Sequence, residues 1–207
     1  MCGIVGVLSR NPDRDVKLET AMRQLQHRGP DDRGFWSDER HIHLGHTRLS
    51  ILDLSPLGHQ PMSYQDGRFW ITFNGEIYNY LELRQEHITL GHRFVSQTDT
   101  EVLLAAYCQW GTSCLEKLRG MFAFGIWDEE TRTLFLARDR VGEKPLYYWT
   151  NGNTLYFASE LKALMTLLPQ IPELDPIAID LYLHYLCVPE PRTPLVGVSK
   201  LPAGHYM

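Results

Sequence analysis

Several things are missing from this sequence, and each absence narrows what the chain does. No run of about 18 consecutive apolar residues occurs in its 207 residues, so no membrane-spanning helix is expected and a membrane is not expected as a partner. Cysteine is scarce: Cys2, Cys108, Cys114 and Cys187 are the four. None shares a Cys-x-x-Cys spacing, which argues against a disulfide scaffold or a zinc ribbon and for a reducing, cytoplasmic setting. Surplus positive charge is also missing. With 20 Lys+Arg against 25 Asp+Glu the net charge is −5, so nucleic acid is not expected as a partner. Met1-Cys2-Gly3-Ile4-Val5-Gly6-Val7-Leu8 has no cationic lead and meets Ser9-Arg10 too soon for a signal peptide. There is no internal repeat and no low-complexity tract.

What remains is ordinary: 43% hydrophobic, 22% charged and 11% aromatic residues, enough for one large domain or two small ones with a real core. Residues 3 to 8 predict a buried strand at the very start. Val16, Leu18, Ala21, Met22 and Leu25 recur at helical spacing, predicting a helix over about 15–26 with Asp13 or Asp15 as cap. Short strands are expected at 34–37 and 41–47, then a Pro/Gly-rich loop over 55–67. Phe69-Trp70-Ile71-Thr72-Phe73 predicts a strand that Asn74-Gly75 would end. A short helix is expected over about 78–86, and Thr98 with Glu101 fits a capping box ahead of another. Met121 to Trp127, apolar on both faces, predicts a central strand turning through Asp128-Glu129-Glu130-Thr131 into Leu134–Ala137. Strands at 146–149 and 154–158 join through Asn151-Gly152. Asp175-Pro176 opens a helix to about 185, after which Pro189, Pro191, Pro194 and Pro202 read as an extended connector rather than more core. This order of elements points to an α+β sandwich.

Chemistry concentrates at a few positions. Cys2 becomes the terminal residue if Met1 is removed, and a terminal cysteine carries its own base. A free α-amine has a pKa of about 7.7–8.0, so part of it is unprotonated near pH 7 beside the thiol. Against this stands the plain reading of Cys2 as a small residue opening a buried strand. Asn74-Gly75 reads either as a hairpin turn or as two donors for a developing oxyanion, a side-chain amide and a backbone N–H. Arg48 fits a carboxylate-binding fork or a solvated surface residue. Asp99 fits the first turn of the Thr98-capped helix or, with Glu76 near, a partner for a substrate ammonium. His41-x-His43-x-x-His46 is a weak metal candidate, because His46 points away from the other two and no acid or cysteine completes a ligand set. No metal is expected.

These segments stand in the order of a known family. Cys2-Gly3-Ile4-Val5-Gly6, His27-Arg28-Gly29-Pro30-Asp31-Asp32-x-Gly34, His46-Thr47-Arg48-Leu49-Ser50-Ile51 and Gly58-His59-Gln60-Pro61 are followed by Phe73-Asn74-Gly75-Glu76-Ile77-Tyr78-Asn79. Thr98-Asp99-Thr100-Glu101, Gly120-Met121-Phe122-Ala123-Phe124 and Arg138-Asp139-Arg140-x-Gly142 complete the set. Over nearly its whole length the chain resembles the class II (N-terminal nucleophile) glutamine amidotransferase domain of glutamine-hydrolysing asparagine synthetases. The resemblance implies a four-layer αββα sandwich of two antiparallel sheets and hydrolysis of L-glutamine to glutamate and ammonia. It implies Cys2 as nucleophile with its α-amine as base, and Asn74 and Gly75 as the oxyanion hole. It assigns Arg48 to the glutamine α-carboxylate, Leu49, Ser50, Ile51 and Leu52 to the pocket lining, and Glu76 and Asp99 to the α-ammonium. It further implies an amidotransferase domain over 1–168 and a helix with connector over 169–207, leading to a C-terminal synthetase domain. ATP and Mg²⁺ would bind there, with no cofactor in this chain, and a homodimer is left open. Two other readings stay beside it: a glutaminase serving a different ammonia acceptor, and a silent docking module that retains Met1.

Overall fold

Alternation along the strands decides the architecture. The computed structural model describes residues 1–10 and 17–207. One sheet holds β1 (Gly3–Ser9), β2 (Asp32–Ser37), β3 (Ile42–Arg48), β8 (Tyr147–Asn151), β9 (Thr154–Ala158) and β10 (Ser199–Lys200), in the order β10-β8-β9-β1-β3-β2. A second holds β4 (Met62–Tyr64), β5 (Phe69–Ile77), β6 (Gly120–Asp128) and β7 (Thr133–Arg138), in chain order. The paired strands in both sheets run antiparallel.

Successive side chains on a strand point to opposite faces, and here each face has its own partner. Val5 and Val7 of β1 pack outward on Leu18, Ala21 and Met22 of α1 (Leu18–Arg23) and on Ala163 and Leu164 of α5 (Leu161–Leu167). Ile4 points inward, joining Ile42, Leu44, Trp127 and Phe157 between the sheets. On the second sheet, Phe69, Ile71, Phe73, Phe122 and Phe124 face α2 (Tyr80–Thr89) and α3 (Asp99–Trp110) through Leu83 and the run Val102 to Ala106. The result is helix, sheet, sheet, helix, the four-layer order that the resemblance implies. Each buried Val, Leu, Ile or Phe is worth about 1.5–3 kcal/mol, and a helix cap about 1 kcal/mol. The sheet faces therefore dominate the choice of fold.

Four local expectations change. Asn74-Gly75 does not end its strand: β5 runs on to Ile77, with Asn74 opposite Ala123 and Gly75 opposite Phe122. The nine-residue partner β6 offers a ladder along the whole segment, and that outweighs the local turn preference. α1 is shorter than expected, because Gln24 and Leu25 donate to Ala21 and Met22 and tighten its end into single 3₁₀-type turns. Its candidate caps Asp13 and Asp15 lie outside the described residues. α5 was not anticipated. The proline-rich segment is extended but packed: Leu195 and Val198 join the outer cluster and Leu201 the cluster between the sheets. Proline removes ladder donors, not the drive to bury the apolar residues between.

Two further helices are α4 (Cys114–Lys117) and α6 (Pro176–Tyr185). α6 begins as its sequence predicts, with the Asp175 carboxylate accepting from Ile177 and Ala178 N–H groups and proline in the first turn. No helix among the described residues is long and apolar enough to cross a membrane.

Candidate active site

The start of β1 and the end of β3 lie side by side, and this register puts Cys2 at the edge of a cleft. Gly3 is the last rung, paired with Thr47, so Cys2 falls beside the chain leaving β3. Its Sγ accepts from Leu49 N at 3.4 Å and approaches Leu49 O at 3.7 Å. Arg28 fixes the other side: Nε donates to Cys2 O at 2.8 Å while Nη1 pairs with Glu160 at 2.9 Å. Asp31 staples the turn after β3, its N–H donating to Arg48 O at 3.0 Å and its carboxylate accepting from Ser50 N at 2.8 Å. Gly29 has to be glycine here, because a Cβ would collide with the Thr47 carbonyl. Burial pushes the Cys2 thiol above its ordinary range, against the pull of the Leu49 N–H and Arg48. The resting sulfur is a thiol, and attack by it requires a base.

The facing wall comes from the second sheet. Phe69, Ile71 and Phe73 point at the helices, so Thr72, Asn74 and Glu76 point the other way. Thr72 donates to Gly45 O at 3.0 Å and ties the sheets together. Asn74 is 1% exposed, and its Nδ2 has no hydrogen-bond partner. A buried amide N–H₂ left open costs about 1–3 kcal/mol, which singles out this donor as one held ready for an acceptor. A Cβ on Gly75 would strike Met121 O, so the close passage of β5 and β6 requires glycine.

α3 supplies the third side. Thr98 caps it, its hydroxyl accepting from Glu101 N at 3.2 Å. The return half of the expected capping box is absent, since the Glu101 carboxylate takes Val95 and Ser96 N–H groups instead. Asp99 is 6% exposed and accepts from Ile77 N at 2.9 Å. Burial, with Glu76 adding repulsion, pushes its carboxyl up to about 6.

Cys2, Arg48, Leu49, Ile51, Leu52, Asn74, Gly75, Glu76 and Asp99 all line this one pocket. Ser50 does not; its backbone is engaged by Asp31. Sequence reasoning missed Gln60 and Lys144, which also line it. Gln60 accepts from Phe73 N at 2.7 Å and donates to Thr100 Oγ1 at 3.2 Å, locking β5 to the first turn of α3. Its signal was the Gly58-His59-Gln60-Pro61 segment, which carried no assigned role. Lys144 gave no signal beyond its place after Arg138-Asp139-Arg140.

A model of the glutamine amidotransferase domain matches residues 1–207. The chain belongs to that family. It is 46% identical over 209 residues to asparagine synthetase [glutamine-hydrolyzing] 1 of Bacillus subtilis, covering 99% of this chain and 33% of that protein. It is 43% identical over 178 residues to amidase chry2 of Gibberella zeae, covering 80% of this chain and 26% of that one. The chain thus spans about a third or less of the length of these two relatives. The glutamine PRPP amidotransferase of B. subtilis superposes with a TM-score of 0.66 at 23% identity, covering 80% of this chain and 43% of that one. That likeness shows the fold, the N-terminal nucleophile sandwich.

Within this amidotransferase domain Arg48 is more engaged than a free fork would be. Its guanidinium is buried and donates to the carbonyls of Leu52 at 3.2 Å, Asp53 at 2.5 Å and Ser55 at 3.3 Å. It shapes the 52–55 loop and faces the pocket at once. The three histidines separate as their spacing predicts. His41 bonds Asp38, whereas His46 is buried between the sheets and its Nε2 meets Phe73 O at 3.0 Å. Burial pulls the His46 ring down to about 4, so it is neutral near pH 7 and its Nε2–H donates. Among the described residues no group of three or more His, Cys, Asp or Glu side chains is placed to hold a metal ion.

Proposed function

We propose that this domain, once Met1 is removed, hydrolyses L-glutamine to glutamate and ammonia. One observation carries the reading: the Cys2 sulfur and the unpartnered Asn74 amide line the same pocket. Arg48 on one side and Glu76 with Asp99 on another provide the charges a free amino acid requires. The α-carboxylate would bind at Arg48 and the α-ammonium at Asp99 and Glu76, directing the side-chain amide to Cys2. The α-amine of Cys2 takes the thiol proton, the thiolate adds to the amide carbon, and the oxyanion receives the Asn74 N–H and the Gly75 backbone N–H. The amine returns the proton to the leaving nitrogen, ammonia departs, and water hydrolyses the thioester by the same route in reverse.

In the protein from which this domain comes, the ammonia would serve the ATP- and Mg²⁺-dependent conversion of aspartate to asparagine. The likeness to the B. subtilis synthetase over 99% of the chain supports this. The synthetase region would follow the 169–207 helix and connector. A different ammonia acceptor is the second reading, favoured by the 43% identity to amidase chry2. The test has two arms. Intact mass of the cellular protein should read one methionine short, and purified protein should release ammonia from glutamine while Cys2→Ala releases none. Retained Met1 with no activity would instead indicate the silent docking module. An acceptor screen on the full-length protein separates aspartate from other acceptors.

A further inference from the structure

One cation in the cleft is left over after the glutamine contacts are assigned. Lys144 is 5% exposed. Among the described residues its Nζ has one hydrogen-bond partner, the Met1 thioether at 3.5 Å. Arg28 Nη2 approaches the same sulfur at 3.9 Å, so two cations converge on the side chain of the residue that processing removes. Arg28 has a carboxylate of its own, Glu160, and Lys144 has none within ion-pair distance among the described residues. A buried ammonium without a counter-charge is costly, so it needs a reason to be there.

The backbone holds Lys144 firmly. Its N–H donates to Asp139 Oδ2 at 3.0 Å, and its C=O accepts from Arg138 Nε at 2.7 Å. The Asp139 carboxylate also takes the N–H groups of Phe122, Val141 and Glu143. The Arg138 guanidinium also binds Gly142 O, Leu201 O and Glu190. Both flanking ion-forming residues are thus spent on fixing the loop, and the free end of Lys144 is aimed at the chain terminus.

We propose that Lys144 is a positioning residue of the glutaminase site, its cationic Nζ keeping the α-amine of the mature Cys2 unprotonated and so able to accept the thiol proton. The charges around that amine are Arg28 and Asp31 from the segment after α1, Arg48 at the end of β3, Glu76 on β5, Asp99 on α3 and Lys144 after β7, beside the Cys2 thiol itself. A proton added to the neutral amine would put a second positive charge beside Lys144, and like charges repel. At the Met1 terminus, burial lowers the amine most, and Arg28 and Lys144 lower it further against Cys2 and Asp31. The inference rests on the glutaminase reading above.

The test compares wild type, Lys144→Met and Lys144→Arg in the full-length protein with its processed terminus. The readout is kcat/KM for glutamine against pH, with melting temperatures alongside. The acid limb reports the essential base of the free enzyme. Expected is an upward displacement of that limb by about one pH unit in Lys144→Met, with Lys144→Arg following wild type. Superimposed limbs for Lys144→Met and wild type overturn the proposal. A titration of the ¹⁵N-labelled Cys2 amine compares wild type with Lys144→Gln, a second neutral variant that keeps the proposal testable where Lys144→Met fails to fold. A higher value in Lys144→Gln than in wild type supports Lys144; equal values overturn the proposal, burial alone then accounting for any lowering below the ordinary range of about 7.7–8.0. Wild type that releases no ammonia removes the glutaminase reading itself, and the amine titration still reports on Lys144.

Discussion

The two long walls of the cleft are built on opposite terms. On the wall from the first sheet nearly every polar group is already satisfied. The Cys2 sulfur sits on Leu49 N, the Arg48 guanidinium on three loop carbonyls, and Arg28 on Cys2 O and Glu160. On the wall from the second sheet and α3, groups are left wanting. Asn74 Nδ2 has no partner, and the Asp99 carboxyl, which accepts from Ile77 N–H but has no cation within ion-pair distance among the described residues, is pushed up to about 6 by burial and by Glu76. Satisfied groups fix a shape, and unsatisfied groups acquire their partner only when a ligand arrives. Under the proposed function, the contrast gives shape to one wall and affinity for a developing oxyanion and an ammonium to the other.

Cys2, the proposed nucleophile, is the point where both walls must work together, so its loss should have the largest effect. Cys2→Ala should abolish ammonia release outright while leaving the circular-dichroism spectrum and melting temperature close to wild type. Next comes Asn74→Ala. Removing one oxyanion donor costs about 10²–10³-fold in kcat, and here it also removes a buried, unpartnered amide. The expected outcome is that fold loss in kcat with a melting temperature unchanged or slightly raised. A clear drop in melting temperature would show that Asn74 holds structure, and the contrast between the walls would fail.

Arg48→Ala should behave in the opposite way. Losing three charge-assisted bonds to carbonyls would cost about 3 kcal/mol, roughly a 6–12 °C fall in melting temperature at this chain length. Hydrogen exchange over the 52–55 loop should rise with it, and KM for glutamine should climb about 100-fold as the carboxylate site is lost. Arg48→Lys would not restore the loop, because a single ammonium cannot reproduce a planar fork. A variant that raises KM with an unaltered melting temperature would mean that Arg48 serves substrate alone.

The unequal walls also explain how far the sequence could be read. Strand alternation made the sheets legible, since the same positions that face the helices are the apolar ones. That Cys2, Arg48, Asn74 and Asp99 share one pocket was legible because they carry distinctive chemistry inside recognisable segments. What escaped was set by tertiary pairing. Asn74-Gly75 looks like a turn until β6 is laid along it. Gln60 becomes a clamp only when Phe73 and Thr100 arrive on either side of it, and Lys144 enters the cleft only because Asp139 and Arg138 fold its loop back. The packed proline-rich tail follows the same rule: Leu195, Val198 and Leu201 are buried by surfaces far away in sequence.

The gentlest probe of the contrast is pH, acting on Asp99. Its carboxyl holds its proton more tightly in the folded cleft than a free aspartic acid does, titrating at about 6 against about 3.9. An α-ammonium bound beside it, as proposed, would favour the ionised form, so glutamine binding should expel the proton. Affinity is therefore full above about pH 7 and weakens as pH falls through about 6, approaching tenfold per unit below it. KM for glutamine should trace that slope in wild type while Asp99→Asn, weaker throughout, stays flat over the same range. Equal slopes in the two proteins would transfer the ammonium to Glu76 and leave Asp99 as a helix-start residue held by Ile77 N–H.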